Sequence, residues 1–152
     1  MTLRWLVASI HLIALTIAVA AIFARGRALQ RVREAADLRP VLLADNWWGV
    51  SGLLLLGTGL WRAFGGLEKG AAYYLGNPLF HAKLGLFVLV LLLELWPMVT
   101  LIRWRMAQRG SRDVDVCRAP SFARVSYVQL AILVVLLFLA TAIARGMGAQ
   151  GL

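Results

Sequence analysis

A chain of 152 residues that is 61% hydrophobic, with mean hydropathy +0.78, cannot hide its apolar side chains in an aqueous core, so a lipid bilayer must be its solvent. The net charge of +9 does not point to nucleic acid, because ten of the sixteen basic residues sit in segments 25–39 and 103–118, each lying between apolar runs. That is the positive-inside pattern of a membrane protein.

In chain order, the first apolar run covers residues 5–23, with His11 and Thr16 as its polar interruptions, and is long enough to span. Arg4 and the small residues around 18–24 also resemble a secretory signal, but the full spanning length and the basic segment that follows favour a retained helix. The spacing of Arg27, Arg31 and Glu34 suits a helical extension of this span. A second span is expected over 46–62, with 41–44 at the interface and Asp45-Asn46 as a cap or a cytoplasmic site. Within it Gly49, Gly52, Leu56 and Gly59 make a smooth stripe, suited to close helix packing or to a slot for a planar ring.

The segment 68–86, EKGAAYYLGNPLFHAKLGL, carries the greatest chemical detail. Asn77-Pro78 starts a third span over 79–102, since proline is well tolerated in a first helical turn. Glu94 and Pro97 interrupt it. Pro120-Ser121 opens a fourth helix, with Ser121 as a candidate cap and the span itself over 125–144. The expected architecture is an all-α, single-domain, up-down four-helix membrane bundle. Counting lysine and arginine near the span ends puts both basic loops on the cytoplasmic side and both termini outside. Trp5, Trp61, Tyr73 and Tyr74 then form an outer aromatic belt, and Trp47, Trp48 and Trp104 an inner one.

His11 and His81 are the only two histidines, and alternating spans put both toward the outer leaflet. Either they ligate a metal-bearing cofactor, of which haem iron is the leading case, or each hydrogen-bonds a neighbouring helix. Lys83 and Glu94 lie eleven residues apart on nearly one helix face, roughly 16 Å along the axis. That spacing suits a polar, proton-carrying track; alternatively Glu94 pairs with Arg103 or Arg105. Arg62, Lys69 and Arg145 are placed to meet propionates or to anchor the outer interface. Cys117 is the single cysteine and forms no internal disulfide. No Walker loop, Cys-x-x-Cys-His or serine-histidine-acid set is present.

Nearly the whole chain resembles a bacterial family of small membrane proteins classed as domain of unknown function 2214, most specifically through EKGAAYYLGNPLFHAKL at 68–84 and Ala44-Asp45 followed by Trp48-Gly49. More distantly, ASIHLI at 8–13 and LFHAKL at 79–84 are similar to motifs of the HemJ-type protoporphyrinogen oxidases, with CopD-type copper-resistance proteins as remoter relatives. The likeness to the oxidases implies haem b held by His11 and His81, with Lys83 near the iron or a propionate, and oxidation of a porphyrinogen. The wider expectation is a haem protein that transfers electrons or oxidises a small hydrophobic substrate such as a quinol, and the likeness to the copper-resistance proteins implies copper handling. The chain departs from the oxidases in having four spans and a plain aliphatic 14–23 after the first histidine. A structural subunit, and a homo-oligomer, stay open as readings.

Overall fold

The computed structural model describes residues 2–66 and 71–148, and these are helical with no strand among them. The helices are α1 (Thr2–Leu29), α2 (Leu38–Phe64), a short α3 (Ala71–Leu75), α4 (Pro78–Arg109) and α5 (Ala119–Ala144), with a 3-10 turn at Ala35–Asp37 before α2. Long helices are what lipid demands, because each backbone N–H and C=O must find its partner within the segment.

Helix α1 is the central element and packs along both α2 and α5, while α5 packs along α4. Its buried stripe of Ala14, Ala18, Ala21, Ile22, Arg25 and Leu29 repeats every three or four residues, and the alanines let its neighbours approach closely. Gly26 continues the stripe: a Cβ there would stand 3.2 Å from the Tyr127 ring and 3.4 Å from Ser126 on α5. Early turns of α1 meet late turns of α2 through His11 and Thr58, and late turns of α1 meet early turns of α2 through Arg25 and Asp45. The outside is apolar: Trp5, Leu53 and Phe138 are 71%, 72% and 70% exposed. Helices α1, α4 and α5 are long and apolar enough to cross a membrane. Helix α2 has the length, but Asn46, Thr58 and four glycines dilute its apolar run.

Several local expectations change. Helix α1 ends at Leu29, so Arg31 and Glu34 lie beyond it instead of extending it. Asp45 is inside α2, whose N-cap is Asp37, so Asp45 caps nothing. Ser121 is likewise past the start of α5, whose N-cap is Arg118 without a side-chain bond. The small-residue packing face is on α1, whereas a Cβ at Gly49 or Gly52 would meet nothing within 4 Å. Trp48 and Trp104 are core residues, not belt residues, because each has a specific partner inside: the Arg25 guanidinium for Trp48 and the Phe122 ring for Trp104.

The start of α4 is capped as its sequence suggests. Asn77 is buried; its Oδ1 accepts from the Leu79 N–H at 2.9 Å and its Nδ2 donates to the Met147 carbonyl at 3.1 Å. One side chain therefore caps α4 and clasps the turn after α5, where Gly148 (φ +76°) passes so close that a Cβ would lie 2.6 Å from Asn77 Oδ1. Asn77→Ala is expected to cost about 1–2 kcal/mol. Asn77→Asp, which keeps the capping oxygen, should recover part of that. Thermal unfolding in detergent checks both, and an unchanged midpoint for the alanine variant would refute the clasp.

Candidate functional site

Among the described residues two places in the interior bring polar side chains of several helices together, and they lie toward opposite ends of α1. The first is a cavity of about 140 Å³ to which all four long helices contribute. Its described lining is apolar except for His11 of α1 and Lys83 of α4. Leu56 and Leu60 of α2, Leu84 of α4 and Leu137 of α5 border it and are also exposed, so its open side faces outward through leucines, toward hydrocarbon. The seam between α2 and α4 is bridged at two levels. Arg105 Nη2 donates to Asn46 Oδ1 at 2.8 Å, and Phe64 meets Phe80 edge-on at 6.3 Å.

His11 is positioned by α2. Its Nδ1 lies 2.7 Å from Thr58 Oγ1, and Thr58 donates its own proton to the Leu54 carbonyl one turn back at 2.5 Å. Gly59 supplies bare backbone beside the imidazole: a Cβ there would be 3.4 Å from His11 Cε1. An apolar cleft with a few convergent polar groups is the usual form of a small-molecule site.

The second assembly centres on Arg25, whose side chain is 0% exposed. A guanidinium has five N–H donors, and each finds an acceptor here. Nη1 donates to Asp45 Oδ1 at 2.9 Å and to Glu94 Oε1 at 2.6 Å. Nη2 donates to Glu94 Oε2 and to Gln129 Oε1, both at 2.8 Å, and Nε donates to Ser126 Oγ at 3.2 Å. Gln129 Nε2 returns a bond to Glu94 Oε2 at 2.9 Å, and Trp48 lies 5.9 Å from the guanidinium carbon. Side chains of α1, α2, α4 and α5 thus meet on one cation. Nothing in this assembly is left unsatisfied. The geometry is that of a lock, because a buried arginine is tolerated in lipid only when its charge and donors are both met.

The expected site residues divide between these places. His11 and Lys83 share the cavity. His81 is exposed, its Nδ1 is 3.1 Å from the Asn77 carbonyl of its own helix, and it is not among the cavity's lining residues. Glu94 belongs to the Arg25 assembly and not to a track with Lys83; its partner is Arg25 and not Arg103 or Arg105. Arg62, in the last turn of α2, and Arg145, the exposed C-cap of α5, are likewise absent from the lining. Lys69 lies outside the described residues.

Residues 3–148 match the family described as predicted membrane protein (DUF2214). The chain belongs to this family. No curated protein and no solved structure matches it. The family description and the three apolar helices together make this DUF2214 chain a membrane protein.

Haem b is the group that the oxidase-like motifs imply, and the residues here do not fit it as a bridge between His11 and His81. Only one of the two imidazoles borders the cavity, and about 140 Å³ is close to the volume that receives a single benzene ring, well short of a macrocycle. Among the described residues no group of three or more histidine, cysteine, aspartate or glutamate side chains is placed to hold a metal ion.

Proposed function

We propose that the protein is an up-down four-helix membrane protein, with α2 as the fourth span and both termini outside, that binds a small, largely apolar ring molecule of the quinone or quinol class from the surrounding lipid. The observation that carries this reading is the cavity itself: leucine-rimmed, of one-ring size, and, among its described lining residues, polar only at His11 and Lys83. An apolar tail would leave through the exposed leucines into hydrocarbon, while the ring oxygens would meet the imidazole and the ammonium. Lys83 is a compact cationic donor, suited to a carbonyl or a partly ionised ring hydroxyl.

The test is isothermal titration of the purified protein in nanodiscs with a decyl-substituted benzoquinone. Gly59→Leu, which projects a side chain beside the His11 ring, should weaken binding at least about tenfold while helicity is kept. Equal affinity in both proteins, or no binding to either, would overturn the reading.

Orientation has a reporter already in the chain. Cys117 is exposed in the segment joining α4 and α5, in the basic region expected inside. The Asp115 carboxylate accepts from its N–H at 2.9 Å and from its Sγ at 3.3 Å, and this bond pushes the thiol pKa up. A raised pKa means less thiolate at neutral pH, so labelling should quicken as pH rises, and about pH 8.5 is a suitable condition. A membrane-impermeant maleimide is expected to spare intact cells and to label inverted vesicles; labelling of intact cells would reverse the proposed topology.

A further inference from the structure

The arginine-rich end of the bundle gathers charge at one seam. Arg105 of α4 crosses to α2, where its Nη2 donates to Asn46 Oδ1 at 2.8 Å and reaches the Leu42 carbonyl at 3.5 Å. Nearer the end of α4, Gln108 Nε2 donates to the Ala35 carbonyl at 2.6 Å, just ahead of α2. These two bridges bracket Arg39, which is exposed and stands seven residues before Asn46 on the same helix face. Arg109, also exposed, follows Arg105 by four residues on one face of α4. Arg39, Arg105 and Arg109 thus meet where α2 and α4 come together. Two nearby acids are engaged elsewhere: Asp45 with Arg25, and Asp37 with the N–H groups of Arg33 and Glu34. Among the described residues, none of these three arginines forms an ion pair with a carboxylate.

Beyond the arginines the same two faces turn apolar. On α2, Asn46 is followed at three and seven residues by Gly49 and Leu53; on α4, Arg105 is preceded at seven and fourteen residues by Met98 and Leu91. All four are exposed, and a Cβ at Gly49 would meet nothing within 4 Å. We propose that this α2–α4 seam binds a glycerophospholipid with an anionic headgroup, its phosphate among the three arginines and one acyl chain along the apolar faces. Guanidinium forks match phosphate oxygens, and the bonds Arg105 makes to α2 use only one of its three nitrogens. A zwitterionic lipid brings the same phosphate but adds a cation that the arginines repel. Free phosphate matches the arginines and leaves the seam empty. The inference goes beyond the cavity reading and does not depend on it.

Native mass spectrometry of the full chain, released from a mild detergent after addition of dioleoyl phosphatidylglycerol or dioleoyl phosphatidylcholine, counts the lipids retained. The unaltered protein should keep one phosphatidylglycerol in clear preference to phosphatidylcholine. Each arginine near a membrane surface is worth about fivefold in attraction to anionic lipid. Arg39→Gln with Arg109→Gln should therefore lower phosphatidylglycerol retention at least about tenfold and leave phosphatidylcholine as it was. Both side chains are exposed, and Arg105 keeps its bridge, so the fold is expected to stand. Arg27→Gln with Arg124→Gln removes the same charge from exposed positions on α1 and α5, and should change retention little. An equal loss in the two double variants would show attraction to a basic surface as a whole and overturn the site. Equal retention of the two lipids by the unaltered protein would overturn it as well. Inorganic phosphate in large excess should leave the lipid in place; displacement would mean an adventitious anion site and sink the lipid assignment.

Discussion

Replacing Arg25 by leucine is expected to be the most damaging single change in the chain. The side chain is fully buried between two carboxylates, Asp45 at 2.9 Å and Glu94 at 2.6 Å. Removing the cation leaves both acids without their countercharge, and breaking a buried ion pair from one side costs about 3–5 kcal/mol. Arg25→Lys should also be poor, because an ammonium has three donors and no planar fork for five acceptors spread over three helices. The decisive comparison is a double variant. Arg25→Leu with Glu94→Leu removes the largest unpaired partner along with the cation, and replacing a buried pair by apolar residues is often close to neutral. Unfolding in mixed micelles of increasing denaturing detergent should show a large loss for Arg25→Leu and a clear recovery in the double variant. A loss below about 1 kcal/mol for Arg25→Leu would mean that the cation is not the tie between the helices.

The second large effect is expected at Phe122. Its ring is fully buried and meets Trp96 edge-on at 4.9 Å and Trp104 edge-on at 5.8 Å, in a cluster sealed by Leu29, Leu38 and the connector valines Val114 and Val116. Phe122→Ala leaves a hole that three helices and a connector cannot close, and core truncations of this kind cost about 3–5 kcal/mol. Lipid does not remove this cost, because the lost contacts are dispersion between close-packed atoms, as much a feature of membrane interiors as of aqueous ones. Phe138 is the control, being of the same residue type and 70% exposed on the outer surface. Phe138→Ala should change stability little in detergent. A similar loss at both positions would show that aromatic content, and not the cluster, is what matters.

The candidate site is partly legible in the sequence. His11 and Lys83 stand out because polar groups inside apolar runs are costly, and both border the cavity. His81 satisfies the same criterion yet sits outside, since within an irregular or newly started helix the facing of one residue depends on neighbours that periodicity does not name. The Arg25 assembly is not visible in the same way. Arg25 reads as the first charge of a basic connector, because the apolar run stops at Phe23. Yet Ala14, Ala18, Ala21 and Arg25 recur at three- and four-residue steps, so the arginine continues the same face. That spacing was the available signal.

What the sequence by itself determines is the solvent and the elements. Apolar content, length of runs and the distribution of arginine demand lipid-embedded helices, and Asn77-Pro78 marks where α4 begins, because these features depend only on neighbours along the chain. The tertiary structure decides the pairings: Arg25 with residues 20, 69, 101 and 104 positions away, and His11 with Thr58, 47 positions away. Charge and hydrogen-bond partners are chosen by which helix faces meet, a long-range outcome of packing that no local pattern encodes.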